Sequence, residues 1–292
     1  MQRFPYWQMD VFANLRGGGN PLGVVLDARG WTAERMQAFA AWTNLVETTF
    51  VLPAEAPGAD YKVRIFTPKK EIPFAGHPSL GTAQALIDSG RLPRDAALLR
   101  QECGAGVLPI RSEFEGTRLL VQAPPARVAR ADGAHRDALH WLLAPTPLGA
   151  TGIQCIEGGR RWWVAEFADE AAVRGYRADH TAIAALARRS DTLGLCVFAR
   201  LPGGEPSLVV RAFPAGVGIV EDPASGAANG LIAAWLRIAE PDGPYARGYA
   251  VSQGREMGHD ARIEIEIDED GAVWVGGRSN AIIRGEAEWE IV

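Results

Sequence analysis

One strand-like stretch occurs twice in this chain, and the copies lie about half a chain apart. Val63-Arg64-Ile65-Phe66-Thr67-Pro68, followed by Gly76 and a helix-forming segment, resembles Val210-Arg211-Ala212-Phe213-Pro214-Ala215, followed by Gly226 and another. Arg64 and Phe66 match Arg211 and Phe213 at one offset, whereas Gly76 and Gly226 match at an offset three residues longer. The second copy therefore carries a small insertion between strand and helix. Two copies at so long a period predict two pseudo-symmetric domains and not a solenoid, which needs several shorter repeats. At 292 residues the chain has room for both. The seam is expected near Pro124-Pro125, giving domains over 1–125 and 126–280.

Secondary-structure signals agree with an α+β chain rich in strand. Alternation or β-branched enrichment marks strands at 7–12, 23–26, 48–52, 61–67, 118–121, 162–166, 194–198, 207–213, 262–267, 272–276 and 281–284. Helical periodicity marks 32–42, with Thr32 as a cap, and 78–89, 181–188 and 227–238.

Composition removes several function classes. Hydrophobic residues make up 47% of the chain and charged residues 22%, the balance of a protein that buries cores. A net charge of -5 with scattered Lys and Arg argues against a nucleic-acid surface. No apolar run approaches the roughly 20 residues that span a bilayer. The first ten residues hold Arg3 and Asp10 without a leader-like apolar stretch, so no membrane partner and a cytoplasmic location are expected. Cys103, Cys155 and Cys196 are widely spaced, with no C-x-x-C pair and no clustered histidine. They read as buried, reduced thiols, and neither a disulfide nor a metal site is expected.

Chemistry is expected where each copy turns from strand into helix. Phe74-Ala75-Gly76-His77-Pro78 and Asp222-Pro223-Ala224-Ser225-Gly226-Ala227 both place glycine at a helix start. Pro78 suits the first helical turn. The free N–H groups and positive dipole end of such a helix can seat an anion. Two such ends would suit a small carboxylate in an inter-domain cleft, although two ordinary capped helices give the same pattern. Glu47 stands between a helix and a strand among apolar or weakly polar neighbours, a setting that raises a carboxyl pKa by desolvation. A carboxyl so placed can give and take a proton; a surface-loop glutamate is the plainer alternative. His77 could relay protons or merely cap its helix. Asp222 could hold a substrate amine or hydroxyl, or cap its own turn, and Glu221 beside it reads as solvated. Gly17-Gly18-Gly19-Asn20-Pro21 lacks the ending of a phosphate-binding loop and reads as a turn. Ser79 and Ser225 have no nucleophile elbow around them.

In order along the chain, Asp10-Val11-Phe12, Gly19-Asn20-Pro21, Val24-Val25-Leu26-Asp27, Asn44-Leu45-Val46-Glu47-Thr48, Arg64-Ile65-Phe66-Thr67-Pro68, Gly76-His77-Pro78, Glu221-Asp222-Pro223-Ala224-Ser225-Gly226, Ser252-Gln253-Gly254, Met257-Gly258 and Val275-Gly276-Gly277 resemble the phenazine-biosynthesis (PhzF-like) family. The resemblance implies a diaminopimelate-epimerase-like fold: two pseudo-symmetric domains, each a β-barrel-like sheet around a central helix, with the last strand, 281–292, returning to the first domain. It implies an isomerase needing neither cofactor nor metal, and a homodimer. The family's type reaction isomerises trans-2,3-dihydro-3-hydroxyanthranilate, one glutamate acting as base and then as acid. By this resemblance Glu47 is the acid/base residue and His77 and Asp222 are its catalytic partners. The backbone around Gly76, Gly226 and Ala227, with Asn20 and Ser225, would hold the substrate.

Two departures bear on the substrate. The phenazine enzymes have a serine after the second glycine and a histidine two residues later, where this chain has Ala227 and Asn229. Losing both polar groups points to a different substrate. Ala75 and Ser225 occupy the places of the two thiols that racemases of this fold use, which argues against two-thiol racemisation. A small-carboxylate-binding protein without turnover, on the same fold, is the alternative to an isomerase.

Overall fold

The computed structural model describes residues 3–290. It divides into two compact units, one ending at Gln122 and regaining the chain from Gly276 onward, the other running from Ala123 to Val275. Ile291 and Val292, the end of the returning segment expected above, lie outside the described residues.

In the first unit the elements are β1 (Arg3–Val11), β2 (Asn20–Val25), α1 (Ala33–Thr43), β3 (Glu47–Leu52), β4 (Tyr61–Phe66), β5 (Glu71–Ile72), α2 (Gly76–Asp88), β6 (Leu98–Cys103), β7 (Gly106–Glu113) and β8 (Arg118–Gln122). The last strand of the chain, β17 (Ser279–Glu288), lies antiparallel to β1. From there β2 is antiparallel to β1, β3 parallel to β2, β4 antiparallel to β3, β6 parallel to β4, and β7 and β8 follow antiparallel. Helix α2 is buried from His77 to Ile87, which makes it the core that the strands wrap. Helix α1 packs outside, its Met36, Phe39 and Ala40 meeting Phe4, Val25, Phe50 and Phe66. Thr32 caps it, its hydroxyl accepting from the Arg35 N–H.

The second unit repeats the plan. Its elements are β9 (Arg127–Val128), α3 (Gly133–Leu143), β10 (Leu148–Gly158), β11 (Arg160–Phe167), α4 (Glu170–Gly175), α5 (His180–Ser190), β12 (Leu195–Arg200), β13 (Leu208–Phe213), α6 (Gly226–Ala239), β14 (Gly248–Gln253), β15 (Ala261–Ile267) and the start of β16 (Val273–Gly277), which ends in the first unit. Strands β9 to β15 pair antiparallel, antiparallel, parallel, antiparallel, parallel and antiparallel, counting β10 to β13 and then β14 as successive neighbours. That is the sequence of senses from β17 through β1 to β7. Helix α6 is buried from Ala228 to Leu236 and is the counterpart of α2. Outside lie α3, α4 and α5, whose Leu139, Leu143, Val173, Ile183 and Leu186 pack on Trp163, Val197, Val209 and Phe213. Covered on both faces, β13 is buried at every residue. Each sequence-expected strand and helix overlaps an observed one. Helices α3 and α4 and strands β5, β6, β7, β9, β10 and β14 were not expected.

A second layer of the repeat is visible only in the structure. Arg64 donates from Nε and Nη2 to Glu71 at 2.7 Å each, and Arg211 makes the same fork with Glu221 at 2.8 and 3.0 Å. Glu71-Ile72-Pro73-Phe74-Ala75-Gly76 thus superposes in pattern on Glu221-Asp222-Pro223-Ala224-Ser225-Gly226. The backbone agrees, since Ile65 pairs with Ile72 and Ala212 bridges Asp222. The three extra residues fall in the loop between arginine and glutamate. Each guanidinium also lies over the phenylalanine two residues on, at 5.2 Å from Phe66 and 5.1 Å from Phe213. The two forks differ in burial. Arg211 and Glu221 are 9% and 10% exposed, against 26% and 42% for Arg64 and Glu71. Glu221 is therefore not solvated, contrary to the sequence reading: a guanidinium neutralises it inside the protein.

Among the described residues no helix is long and apolar enough to cross a membrane. The three cysteines are unbridged and buried.

Two consequences can be measured. Gly81 lets α2 approach β1 and β2, because a Cβ there would stand 2.6 Å from Leu22 Cδ2 and 2.7 Å from Val11 Cγ2. Gly81→Val is expected to destabilise the protein by about 1–3 kcal/mol in urea unfolding. Arg211→Met strands a buried carboxylate and is expected to cost about 3–5 kcal/mol, whereas Arg64→Met, at a partly exposed pair, should cost about 1 kcal/mol or less.

Candidate active site

The first unit collects Glu47, His77, Asn20 and Gly76. Glu47 opens β3 and is 9% exposed, so it is not a surface-loop residue. Across the parallel β2–β3 pair it lies beside Leu22. Thr49, two residues on and on the same strand face, accepts from the Thr82 hydroxyl of α2 at 2.8 Å. That bond fixes β3 against the helix carrying His77. His77, in the first turn of α2, is 7% exposed, and its Nε2 stands 3.3 Å from Glu47 Oε2. The separation is that of an ion pair, but the angles do not make a hydrogen bond. Burial pulls the imidazole pKa from its ordinary 6.5 down to about 3, so the ring is neutral at neutral pH. The contact is thus a neutral imidazole against a carboxyl, and not an ion pair. Asn20 opens β2, fully buried, and does not sit in a turn as the sequence suggested. The loop before it is held by Asp10, whose carboxylate accepts from Gly17 N–H at 2.6 Å and Gly19 N–H at 2.9 Å.

The start of α2 leaves donors unused. Ser79 N–H closes the first helical bond to Ala75 O at 3.3 Å, and Pro78 has no N–H. Ala75 offers no side-chain cap. The Gly76 and His77 N–H groups therefore have no helical partner.

The second unit collects Asp222, Ser225, Gly226 and Ala227. Asp222 is held through its backbone, N–H to Ala212 O at 2.9 Å, while its carboxylate accepts from Ala224 N–H at 3.1 Å. Ser225 caps α6, its hydroxyl accepting from Ala228 N–H at 3.3 Å, and Asn229 N–H bonds to Ser225 O at 3.2 Å. With those two donors engaged, the Gly226 and Ala227 N–H groups are left without a helical partner and make no bond among the described residues. Each unit thus presents a helix start with two uncommitted donors, a geometry suited to one carboxylate.

Sequence reasoning left Gln253 without a role. It is fully buried at the end of β14, accepts from Ser225 N–H at 3.3 Å and from Asn229 Nδ2 at 2.8 Å, and donates to Asp222 O at 2.8 Å. The only signal for it was its place between Ser252 and Gly254.

The neutrality of His77 has a stability consequence. Between about pH 6.5 and pH 3 the unfolded chain takes up a proton at residue 77 that the native state refuses, so stability rises with pH across that window. Wild type is expected to lose stability relative to His77→Gln between about pH 7 and pH 4, measured by urea unfolding at each pH.

Comparison with known proteins agrees with this architecture. The chain is 28% identical to the Schizosaccharomyces pombe protein antisense-enhancing sequence 1, over 98% of this chain and 99% of the other. It is 33% identical to a trans-2,3-dihydro-3-hydroxyanthranilate isomerase of Pseudomonas aeruginosa, over 97% and 98%. The crystal structure of a Bacillus anthracis phenazine biosynthesis protein of the PhzF family superposes with a TM-score of 0.84 at 24% identity, covering 99% of this chain and all of that one. The duplicated sheet wrapped on a buried helix is the diaminopimelate-epimerase-like fold of such proteins. Residues 9–285 match the model of phenazine biosynthesis-like proteins, and the chain belongs to that PhzC-PhzF family.

Proposed function

We propose that this isomerase moves a proton along a small, carboxylate-bearing substrate, with Glu47 as the proton carrier. The observation that carries the reading is the buried Glu47 carboxyl 3.3 Å from the neutral His77 ring, beside a helix start with two free N–H groups. Glu47 as carboxylate takes a proton from a substrate carbon. The electron pair left behind shifts through the adjoining π system. The protonated Glu47 then returns the proton to a second carbon, so no atom or electron is gained or lost. His77, kept neutral by burial, orients the carboxyl or the substrate and adds no charge. The Gly76 and His77 N–H groups seat a substrate carboxylate, and the negative charge that develops during proton removal is met by the same positive helix end. In the second unit the same reading gives Asp222 a substrate-contacting role and Gly226 and Ala227 an anion-seating one, with Ser225 as the cap that shapes the seat. Asn20 is read as a polar wall of the first set.

Ala227 and Asn229 stand where the phenazine enzymes carry a hydroxyl and an imidazole. Asn229 is turned inward, fully buried, with Nδ2 on Ser225 O and Gln253. Both of its N–H donors are spent on the protein, so it has none to offer a substrate. This supports a substrate other than the one in the relative's name.

The test is proton NMR in D2O of a panel of cyclic and amino-acid carboxylates, trans-2,3-dihydro-3-hydroxyanthranilate among them, with wild type and Glu47→Gln. Deuterium is expected to enter a substrate carbon with wild type, and about 10²–10⁴-fold more slowly with the variant. Binding without exchange across the panel would favour a carboxylate-binding protein. Exchange that survives Glu47→Gln would mean another residue carries the proton.

A further inference from the structure

The segment Ser252-Gln253-Gly254 takes part in no step above, yet Gln253 and Gly254 converge on the turn that carries Asp222 and opens α6, while Ser252 is tied to α4. Ser252 Oγ accepts from Arg174 Nη2 at 3.1 Å, and Arg174 also donates to Glu256 at 3.0 Å, just beyond the segment. Gly254 has a φ of +93°, and a Cβ there would stand 2.5 Å from Pro223 O, so only glycine lets the strand end press on the Asp222-Pro223 turn. Gln253 spends both ends of its amide on that turn. Its oxygen holds Ser225 N–H and the Asn229 amide, and its nitrogen holds the Asp222 carbonyl.

This division of donors decides which N–H groups remain free. Without the Gln253 oxygen, Ser225 N–H would be a third uncommitted donor and the turn would lose its anchor on β14. With it, the free donors are those of Gly226 and Ala227. The same amide donates to the Asp222 carbonyl at 2.8 Å and so fixes the backbone from which the Asp222 carboxylate projects.

We propose that Gln253 is a positioning residue: it sets the two-donor anion seat of Gly226 and Ala227 and the orientation of Asp222, and thereby limits the carboxylates this unit accepts. The inference rests on the reading that Gly226 and Ala227 seat a carboxylate. Asn229 is a passenger in this arrangement, because Gln253 keeps its bonds to Ser225 and Asp222 when the Asn229 amide is removed.

The experiment is a benzoate titration followed by the backbone amide resonances of Gly226 and Ala227, in full-length wild type, Gln253→Met and Asn229→Ala, with thermal unfolding of each. Gln253→Met matches the length of glutamine and removes its hydrogen bonds. Wild type is expected to show saturable shifts at both amides, and Gln253→Met to bind benzoate about tenfold or more weakly. Asn229→Ala also removes a buried polar group and should lower the melting temperature, yet keep benzoate affinity within about threefold of wild type. Equal losses of affinity in the two variants, or none in Gln253→Met, would overturn the proposal, since a merely structural role predicts that affinity follows stability. Should Gln253→Met not fold, Gln253→Glu keeps accepting oxygens for Ser225 and Asn229 and loses the donation to Asp222. The same weakening is expected there, and unchanged affinity would refute the idea. Failure of wild type to shift at Gly226 and Ala227 would instead sink the anion-seat reading, and this inference with it.

Discussion

The first N–H groups of an α-helix have no partner within the helix, so a helix that forms the core of a domain must spend them on other groups of the protein or hold them ready at an open end. Helices α2 and α6 are both under that constraint, and most of what surrounds them can be understood as its consequence. Ser79 and Asn229 close the first helical bonds. Proline at residue 78 removes one donor, and the Ser225 hydroxyl covers another. What is left in each unit is a pair of adjacent donors on a rigid element, which a loop could not hold with the same economy of motion.

The frame beneath each helix start is the same in both units, and the chemistry placed on it is not. The arginine fork and the Glu-x-Pro-x-x-Gly turn recur with identical spacing from glutamate to glycine. On that frame Ile72 corresponds to Asp222, Ala75 to Ser225, and the His77-Pro78 pair to Ala227-Ala228. The first unit gains an imidazole and a neighbouring carboxyl from β3. The second gains a carboxylate on the turn itself and a side-chain cap. Duplication supplied two equal supports, and divergence distributed the titratable groups between them. The deeper burial of the Arg211–Glu221 fork goes with the extra anchoring of its arginine, which also donates to Val173 O and Tyr176 O at 3.2 and 2.6 Å.

The repeat was legible because Arg64, Phe66, Arg211 and Phe213 keep their spacing within a strand, where no insertion is tolerated without changing register. The correspondence of Glu71 with Glu221 escaped notice because the loop between arginine and glutamate differs by three residues, and Glu221, read as solvated, follows the exposed Val220. A charge is assigned to solvent by default, and only a structure shows the guanidinium that pays for its burial. Strands β6 and β7 were missed because charged residues and Pro109 interrupt their alternation. Strand β10 was missed because Gly149 and Gly152 fall within a register shift between Leu148 and Ile153. Helix α3 follows an Ala-, Arg- and Asp-rich seam whose composition hides its Asp132 cap. For the site, Glu47 and His77 are far apart in sequence, and the residues flagged them singly; their contact depends on Gly81 and on the Thr49–Thr82 bond, neither of which carries a sequence signature. Gln253 is the extreme case, since a buried glutamine is recognisable only by its partners.

The protonation state of His77 bears on what its neighbour can do. An imidazolium 3.3 Å from a carboxyl would stabilise the ionised form and make it a poorer proton acceptor, and it would also compete with a helix end for a substrate carboxylate. Burial works against that state at neutral pH, since desolvation disfavours the charged ring and pulls its pKa down. The charge on the pair is therefore that of Glu47 alone. A neutral ring next to a carboxyl can donate or accept a hydrogen bond according to tautomer without changing the total charge. In the proposed cycle Glu47 acts as base and then as acid, and a neighbour able to donate or accept without changing the charge suits it; burial of His77 in the first turn of α2 provides that neighbour.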